Sequence, residues 1–575
     1  MRDLQPSQLF RTALISSTVP LLLALTGMVE AFSKRGLIGE AVSVGHVLLF
    51  LSILIAAYLF ERRQKSPSPL NATISGIVIG GVSGIVLVVL VFLTKALIPK
   101  PWDLRSIFPN ASPALIEVLT FSRGERTGAL LLFLFSVVSG LIGTLFPLIP
   151  LLIRGPLTTG FLVTLIIGLL QDIISTLPIF RGKIIKFFFA RSGFKPVGAL
   201  LIFVVTIVLA ALWHQYGRRL REEHRQLQQR RPMTVQIAVW TFVLLFLLVL
   251  PRIVGSYMSE VLDTVGLYIL MGLGLNIVVG FAGMLDLGYV AFFAIGAYTM
   301  AVLTSTELGF FNLTFWEALP LSILASIAAG VILGVPVLKM RGDYLAIVTM
   351  GFGEIIRILV LSDFLKPILG GAQGLTRIAR PVIEGPIIGR IVIKDPPHFY
   401  YLILIGCLIA LFISIRLKAS RLGRAWMAIR EDEDVAEAMG INLVTTKLLA
   451  FATGAALSGL SGAIFASKIN SMAPHSFNLL ISIYVLSLII VGGMGSLPGV
   501  VVGAFALMGL PELLREFAEY RMLVYGAAMV VMMLYKPEGL WPEATHVRAL
   551  RQEESREPVP EPSPKKAPAA TVASE

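Results

Sequence analysis

We predict an all-α, polytopic integral membrane protein with about 16 spans, because apolar runs of about 20 residues, the length that crosses the hydrocarbon layer, recur along the chain. Hydrophobic residues make up 56% of the 575 and charged residues only 14%, and the mean hydropathy is +0.83. Soluble domains carry about 25% charged residues, so this composition excludes a soluble enzyme, a disordered protein and a disulfide-rich secreted protein.

Six apolar runs precede one polar stretch, and ten follow it. The first six lie at about 13–32, 41–60, 73–98, 128–153, 157–180 and 196–213. The other ten lie at about 234–250, 257–282, 287–305, 318–338, 343–361, 399–415, 446–466, 480–494, 500–516 and 522–535. Residues 214–233 between them carry six Arg, which indicates a basic cytoplasmic linker between an N-terminal membrane module, 1–213, and a second membrane domain, 234–540.

Loops rich in Lys and Arg set the expected orientation, because such loops stay on the cytoplasmic side. Placing 214–233 inside also puts the loop 416–430 and both termini in the cytoplasm, whereas the basic loop 181–195 would lie outside, against the rule. The net charge of +13 then indicates contact with anionic membrane lipid and not with nucleic acid. The proline-rich end, 541–575, is predicted to be a disordered cytoplasmic tail.

No pattern of catalytic or metal-binding residues occurs in the sequence. Its one cysteine, Cys407, cannot form an intramolecular disulfide, and the six His stand singly, without the spacing of metal ligands. The glycine-rich loop that cradles nucleotide phosphates is absent as well. We therefore expect a transport component and not an enzyme, with no catalytic residue, metal or cofactor, and any ATP hydrolysis on separate subunits.

A short repeat marks matching places in the second domain. Residues 277–285 read IVVGFAGML and residues 489–497 read IIVGGMGSL, with five of nine positions identical. Glycine-broken membrane segments at matching places indicate a substrate path, although glycine also recurs where membrane helices simply pack closely. The candidate path residues from the two copies are Gly280, Gly283, Gly492, Gly493 and Gly495.

The segment 420–443 is an amphipathic stretch between two apolar runs. Its basic first part is followed by the acidic run 431–434, which suits the start of a second short helix, and Gly440 suits the end of that helix. Such a helix can dock in a groove on a partner protein, or the segment can be a solvated loop that only maintains topology. The candidate docking residues are Arg421, Gly423, Arg424, Arg430, Glu431, Asp432, Glu437, Ala438 and Gly440.

This segment resembles the coupling loop of permease subunits of bacterial ATP-driven (ABC) importers for branched-chain amino acids. In that family L-G-R-A-x-x-A-I-R-E-D-E is followed by A-x-x-x-G, and here the motif occupies 422–433 and 436–440. Other segments match in order, namely GFAGMLDLGYVAFFAIGAY (280–298), KMRGDYLAIVTMGFGEIIRIL (339–359), GGAQGL (370–375) and VGGMGSLPG (491–499). The resemblance covers about 234–540 and is greatest to the M-type subunits of leucine, isoleucine and valine importers.

The resemblance implies a permease of the bacterial cytoplasmic (inner) membrane that forms the translocation path with a second, related permease subunit. Two ATP-binding cassette subunits would bind the coupling loops. A soluble extracytoplasmic binding protein would deliver branched-chain or related amino acids, and the outer loop 362–398 either meets that protein or is only a surface turn region. A urea or short-chain amide permease is one alternative. A secondary transporter working alone is another, although it would leave the coupling loop without a purpose.

Polar residues within or beside the apolar runs are further candidates for the path. Asp286 either is functional, the default expectation for an ionisable residue in a membrane, or caps a helix that starts near Leu287. Glu354 and Arg357 are three residues apart on one helix, so they can pair as a structural salt bridge or take part in gating. Tyr289 is expected to pack against other helices more than to contact substrate.

Overall fold

The computed structural model describes residues 6–38, 42–64, 68–97, 110–176, 187–190, 193–228, 233–337, 340, 342–385, 389–513 and 520–542. Within these ranges twelve helices are long and apolar enough to cross a membrane, and three shorter apolar helices accompany them. The predicted all-α polytopic class is confirmed, whereas the count of 16 spans is not. Most of the predicted tail, 543–575, and much of the basic loop 181–195 lie outside the described residues.

The chain folds into two compact units. The first comprises Met1–Met258 together with Leu513–Met522, and the second comprises Ser259–Glu512 together with the chain from Leu523 onward. The limits at 213, 233 and 540 that the sequence indicated stay predictions about domain organisation.

The first unit contains a bundle of apolar helices and a small sheet. Its helices are α1 (Pro6–Leu25), α2 (Met28–Ser33), α3 (Val44–Arg62), α4 (Pro69–Leu97), α5 (Pro113–Leu119), α6 (Glu125–Leu145), α7 (Leu151–Leu169), α8 (Gln171–Thr176) and α9 (Pro196–Gln228). The strands β1 (Gly36–Ile38), β2 (Val42–Ser43), β3 (Phe189–Ala190) and β4 (Gly193–Phe194) pair in the order β2-β1-β4-β3. Small residues let α4 and α6 approach closely, since a Cβ on Gly140 would lie 2.4 Å from the Gly76 carbonyl oxygen.

Helix α10 (Met233–Leu275) contains two helical segments, which correspond to the spans that the sequence predicted at 234–250 and 257–282. Its backbone leaves the helical conformation at Gly255, where φ is 80° and ψ is −179°, shortly after Pro251. Proline lacks the N–H that continues a helix, and glycine adopts positive φ without strain. The two predicted spans therefore lie on the two sides of this kink. Helix α9 in turn continues into the predicted linker, as far as Gln228.

Helices α11 to α20 belong to the second unit. They are α11 (Val290–Thr304), α12 (Phe315–Val337), α13 (Asp343–Leu361), α14 (Lys366–Leu369), α15 (Pro396–Ala419), α16 (Arg421–Glu431), α17 (Glu433–Ala438), α18 (Leu443–Ile469), α19 (Leu479–Gly492) and α20 (Leu497–Ala504). Strand β5 (Leu375–Thr376) pairs with β8 (Ser471–Met472), and β6 (Val382–Gly385) pairs with β7 (Gly389–Val392). Helix α21 (Leu510–Leu513) and helix α22 (Arg521–Tyr535) each contain one of the positions at which the chain passes from one unit to the other.

Helix α18 forms the centre of the second unit, because glycines let other helices approach its backbone. A Cβ on Gly462 would lie 2.1 Å from the carbonyl oxygen of Phe293 on α11. A Cβ on Gly296 would likewise lie 2.4 Å from the carbonyl oxygen of Gly459. Such spacing permits backbone-to-backbone packing that no larger residue would allow. The remaining elements of the unit, including the candidate site, are arranged around this helix.

Candidate functional site

Helix α16 is fixed to the rest of the second unit by its apolar face. The Ser420 side chain accepts a hydrogen bond from the Gly423 N–H at 3.2 Å and so begins the helix. Gly423, Trp426 and Ile429 recur every three residues and are buried. The Trp426 indole N–H donates to the carbonyl of Thr446 on α18 at 2.8 Å. The predicted docking segment is therefore a packed helix at this point and not a loose loop.

Helix α17 follows directly and presents its side chains outward. Asp432 accepts hydrogen bonds from the N–H groups of Asp434 and Val435, at 2.9 and 3.0 Å, which caps the helix. Gly440 has a φ of 86°, a conformation that ends the segment and favours glycine. The candidate residues exposed on the two helices are Arg421, Arg424, Glu431, Asp432, Glu437, Ala438 and Gly440.

An apolar tip accompanies these polar residues. Val435 is 58% exposed and Met439 is 79% exposed, whereas Ala436 is buried. Lys447 of α18 forms an ion pair with Glu433 of α17 and is itself almost completely buried. The helix is thus attached to α18 while its apolar side chains face outward. We call Val435, Glu437, Ala438 and Met439 the tip of α17.

The first glycine turn of the sequence repeat lies beside α16, and the second lies beside the last turn of α15. Arg430 Nη1 donates to the Gly280 carbonyl at 2.6 Å, and Gly283, with a φ of 71°, packs against the Arg430 side chain. The second turn is bound to the first, because the Gly495 N–H donates to Asn276 Oδ1 at 2.9 Å. Lys418, just before α16, donates to the Gly495 carbonyl at 3.0 Å. The structure therefore brings the two predicted glycine sets and the docking segment together.

Each glycine turn interrupts a pair of membrane helices. The first lies between α10 and α11 and includes a π-helical segment, Asn276–Phe281. The second ends α19, where Gly493 has a φ of 116°, and precedes α20. Gly492 fits only because it lacks a side chain, since a Cβ there would lie 2.1 Å from the carbonyl oxygen of Gly499. A displacement of either turn would consequently move the ends of two helices.

Asp286 and Tyr289 lie in the break before α11 and are buried. Asp286 Oδ1 accepts from the Gly288 N–H at 2.9 Å, so it holds a turn, while the helix itself begins at Val290 and not near Leu287. Its Oδ2 has no hydrogen-bond partner within the described ranges. The Tyr289 hydroxyl donates to the carbonyl of Gly454 at 2.7 Å. Tyr289 thus joins this break to α18.

Glu354 and Arg357 pair on α13, away from the glycine turns. Arg357 Nε donates to both carboxylate oxygens of Glu354, at 3.0 and 2.9 Å, which is the pairing that the three-residue spacing predicted. The side chains are 48% and 34% exposed, respectively. Glu354 also lines a cavity of 360 Å³ between α11 and α13, whose other lining residues include Val290, Gly351 and Phe477.

A second cavity, of 390 Å³, lies further along the same two helices. Its lining is almost entirely apolar and includes Ile295, Val302, Ile356, Leu359 and Ile368. The cavities follow one another along α11 and α13, since Val290 and Ile347 line the first and Leu303 and Val360 the second. We call this pair of cavities the α11–α13 crevice.

Comparison with known proteins identifies the family. Residues 257–533 match the family described as branched-chain amino acid transport system / permease component. The high-affinity branched-chain amino acid transport system permease protein LivM of Salmonella typhimurium is 42% identical over 310 residues, which cover 51% of this chain and 72% of the relative. The chain belongs to this permease family. The permease is thereby a transport component, which confirms the predicted function class over an enzyme.

Further relatives of the permease extend this result. LivM of Escherichia coli strain K12 is 41% identical over 328 residues, or 54% of this chain and 76% of the relative. The permease protein LivH of the same organism is 23% identical over 289 residues, or 48% of this chain and 90% of the relative. No solved structure matches the permease. The family match leaves the chain before 257 and after 533 uncovered.

Several residues of the permease site were missed at the level of sequence. Asn276 is an isolated polar residue in an apolar run, a signal that could have identified it. Trp426 shares the three-residue spacing of Gly423 and Ile429, which could have predicted the buried face of α16. The sequence gives no such signal for Lys418 and Lys447, because basic residues near a membrane boundary usually only set the orientation of the chain in the membrane.

Proposed function

We propose that the second unit forms one half of the translocation path of an ATP-driven amino acid importer and binds an ATPase subunit through α17. The observation that carries this proposal is the contrast between the end of α15 and α16, which bind the two glycine turns through Lys418 and Arg430, and the exposed tip of α17. A helix with an apolar tip among charges is suited to a groove on a partner protein. The partners that we propose are two ATP-binding cassette subunits, a second related permease and an extracytoplasmic binding protein.

The proposed coupling runs from α17 through α16 to the membrane helices. A partner that moves α17 also moves α16, because the two helices are consecutive and share Asp432 at their junction. Arg430 then transmits the movement to Gly280, and Lys418 transmits it to Gly495. Both turns shift together since Asn276 joins them. Closure or opening of the path follows from the paired displacement of the helix ends at these turns.

The α11–α13 crevice is the part of the surface that we assign to the substrate path. An exposed ion pair such as Glu354–Arg357 is costly in lipid, so this face of α13 is expected to meet water or another permease subunit. A carboxylate and a guanidinium can also bind the ammonium and carboxylate groups of an amino acid. Asp286 lies in the break at the base of α11 and supports its geometry.

The apolar cavity favours an aliphatic substrate over a small polar one. Its Ile, Leu and Val lining can surround a branched side chain, whereas urea would leave its amide groups without partners there. The names of the relatives point in the same direction. We therefore propose branched-chain or related amino acids as substrates. If the protein instead transported urea or a short-chain amide, this cavity would not contact the substrate.

We further propose the bacterial cytoplasmic (inner) membrane as the location, with both termini and α17 on the cytoplasmic side. The loop that contains β5, β6 and β7 would then face outward, toward the binding protein. Residues 1–213 are proposed as a separate membrane module. Deletion of 1–213 is expected to leave a unit that inserts, because the basic stretch 214–233 sets its orientation. If the chain without 1–213 fails to insert while the full chain inserts well, the proposal of two separate membrane modules is contradicted.

The first test is purification of the full chain from detergent-solubilised membranes, with its partners identified by mass spectrometry. An ATPase and a second permease should be recovered, and uptake of leucine, isoleucine, valine and urea can then be compared. Val435→Asp should reduce recovery of the ATPase, whereas Phe364→Asp, a charge at an exposed apolar position in the loop after α13, should not. Gly440→Pro and Arg424→Glu should uncouple uptake. A homo-oligomer without an ATPase would instead support a transporter working alone.

A further inference from the structure

The segment Lys536–Pro542, which we call the C-terminal strap, follows α22 and binds the end of α19. The Leu540 N–H donates to the carbonyl of Val491 at 2.7 Å, and the Trp541 N–H donates to the carbonyl of Gly492 at 2.9 Å. Carbonyls in the last turn of a helix have no partner within that helix. The strap therefore supplies the hydrogen bonds that α19 lacks at the second glycine turn.

Glycines on both sides make this contact close. Gly493 has a φ of 116° and Gly539 a φ of 91°, a region in which residues with a Cβ are strained. A Cβ on Gly539 would lie 2.5 Å from Gly493 Cα, so a larger residue would push the strap away from the turn. Lys536 Nζ donates to the Leu540 carbonyl at 3.3 Å, which helps to close the strap on itself.

The turn that the strap binds also contacts the last turn of α15, the helix that precedes α16. Gly495 accepts from Lys418 in that last turn and donates to Asn276. Asn276 lies in the segment whose Gly280 carbonyl is bound by Arg430, near the end of α16. The strap is thus joined through one turn to the end of α15 and, through the Asn276–Phe281 segment, to Arg430 of α16. It follows the region that matches the permease family, which ends at 533.

We propose that the C-terminal strap is a positioning element for coupling. It holds the Gly492–Gly495 turn in the geometry in which a movement of α16 displaces both α19 and α20. Without the strap the turn can yield locally, so that ATP is hydrolysed while the helices move less. This inference rests on the proposed role of α16 and α17 in ATPase coupling, and it assigns no substrate contact to the strap.

The test uses the complete importer, with its co-purified partners, in proteoliposomes supplied with binding protein and leucine. The measured quantity is the number of ATP molecules hydrolysed per leucine transported. Gly539→Ala should raise this ratio about fivefold to tenfold, as expected for coupling changes of this kind, with recovery of the ATPase unchanged. The matched control is Gly526→Ala on α22, where an added Cβ meets no atom within 4 Å, and its ratio should equal that of the unmodified protein.

A second pair of variants keeps the test decisive if Gly539→Ala fails to assemble. Trp541→Pro removes the N–H that binds Gly492, and Trp541→Phe retains it, so only the first should raise the ratio. A chain that ends after Pro542 keeps the strap and should couple normally. Unchanged ratios in Gly539→Ala and Trp541→Pro, or a raised ratio in the shortened chain, would overturn the proposal. Absence of any ATP-driven uptake by the unmodified importer would instead refute the proposed function.

Discussion

The two ends of the second unit are held together by different kinds of contact. Helix α18, with 27 residues, separates them by about 40 Å. At its first end, which we call the α16 end, Lys418 and Arg430 donate to backbone carbonyls of glycine turns and Lys447 pairs with Glu433 under cover of protein. At its second end, the β5–β8 end, the ion pair of the loop, Arg390–Glu384, is exposed.

The β5–β8 end also contains buried charged residues. Lys468 binds Asp263 at 3.2 Å and Glu260 at 3.0 Å, but these three residues belong to helices and not to the loop. The loop itself is attached through hydrogen bonds, such as the bond from the buried Ser305 hydroxyl to the Thr376 carbonyl, 2.7 Å long, and it carries the exposed Arg390–Glu384 pair. Water can replace exposed contacts with little loss, whereas a covered cation bound to a carbonyl cannot be replaced so easily. The α16 end is therefore suited to transmitting movement and the loop to adapting its shape.

The largest expected effect tests whether the ion pair at the α16 end contributes more to stability than the ion pair at the β5–β8 end. Lys447→Met removes the cation that pairs with Glu433, whose side chain is mostly buried, and should destabilise the second unit by about 2 kcal/mol. The matched change at the other end, Arg390→Met, removes an exposed pair and should cost less than about 0.5 kcal/mol. Thermal unfolding in detergent measures both variants. Equal losses would show that the two ends do not differ as described.

The next effect concerns transmission of movement. Arg430→Ala removes the hydrogen bond to Gly280 and should lower leucine uptake about tenfold at unchanged expression, because a charge-assisted bond contributes about 1.5–3 kcal/mol. Arg390→Ala on the exposed hairpin serves as the control and should leave uptake within about twofold. Uptake and ATPase activity measured together separate lost coupling from lost assembly. Normal uptake by Arg430→Ala would contradict a transmitting role.

A smaller effect is expected for Tyr289, which binds α18 between its two ends. Tyr289→Phe removes the hydroxyl that binds the Gly454 carbonyl and should lower stability by about 1 kcal/mol, the usual contribution of one hydrogen bond. The KM for leucine should stay unchanged if Tyr289 supports α18 and does not touch substrate. Unfolding and uptake assays on the same preparation decide this. A raised KM with normal stability would make Tyr289 a substrate contact.

The smallest effect concerns attachment of the loop at the β5–β8 end. Hydrogen bonds from the Thr376 hydroxyl and N–H lower the pKa of the Glu307 carboxyl below its ordinary value. The contact is consequently complete above that ordinary pKa and is lost as the pH falls through the lower pKa of the folded protein. Protection of the Thr376 N–H from hydrogen exchange, measured relative to an unstructured amide at the same pH, should fall in acid, and Glu307→Gln should lower it already at neutral pH. Protection that is unaffected by both changes would show that the loop is held elsewhere.

Much of the candidate site could be predicted from local sequence. The acidic run 431–434 after a basic stretch, followed by Gly440, indicated a second short helix, and the structure contains it as Glu433–Ala438. The spacing of Glu354 and Arg357 predicted their pairing, because it depends only on helix geometry. The gap between the predicted spans 234–250 and 257–282 contains the kink at Gly255, where a proline and a glycine close together interrupt a helix.

Composition and apolar periodicity by themselves determined that this chain is a helical membrane protein, and the motifs of 280–499 determined its family. These properties depend on residues that are neighbours in sequence or repeat along one helix. Only the tertiary structure decided that the Gly280 and Gly495 turns meet, that Arg430 and Lys418 bind them, and that the strap closes on Gly493. Such contacts join residues up to hundreds of positions apart, and a backbone carbonyl that accepts them leaves no mark in the sequence.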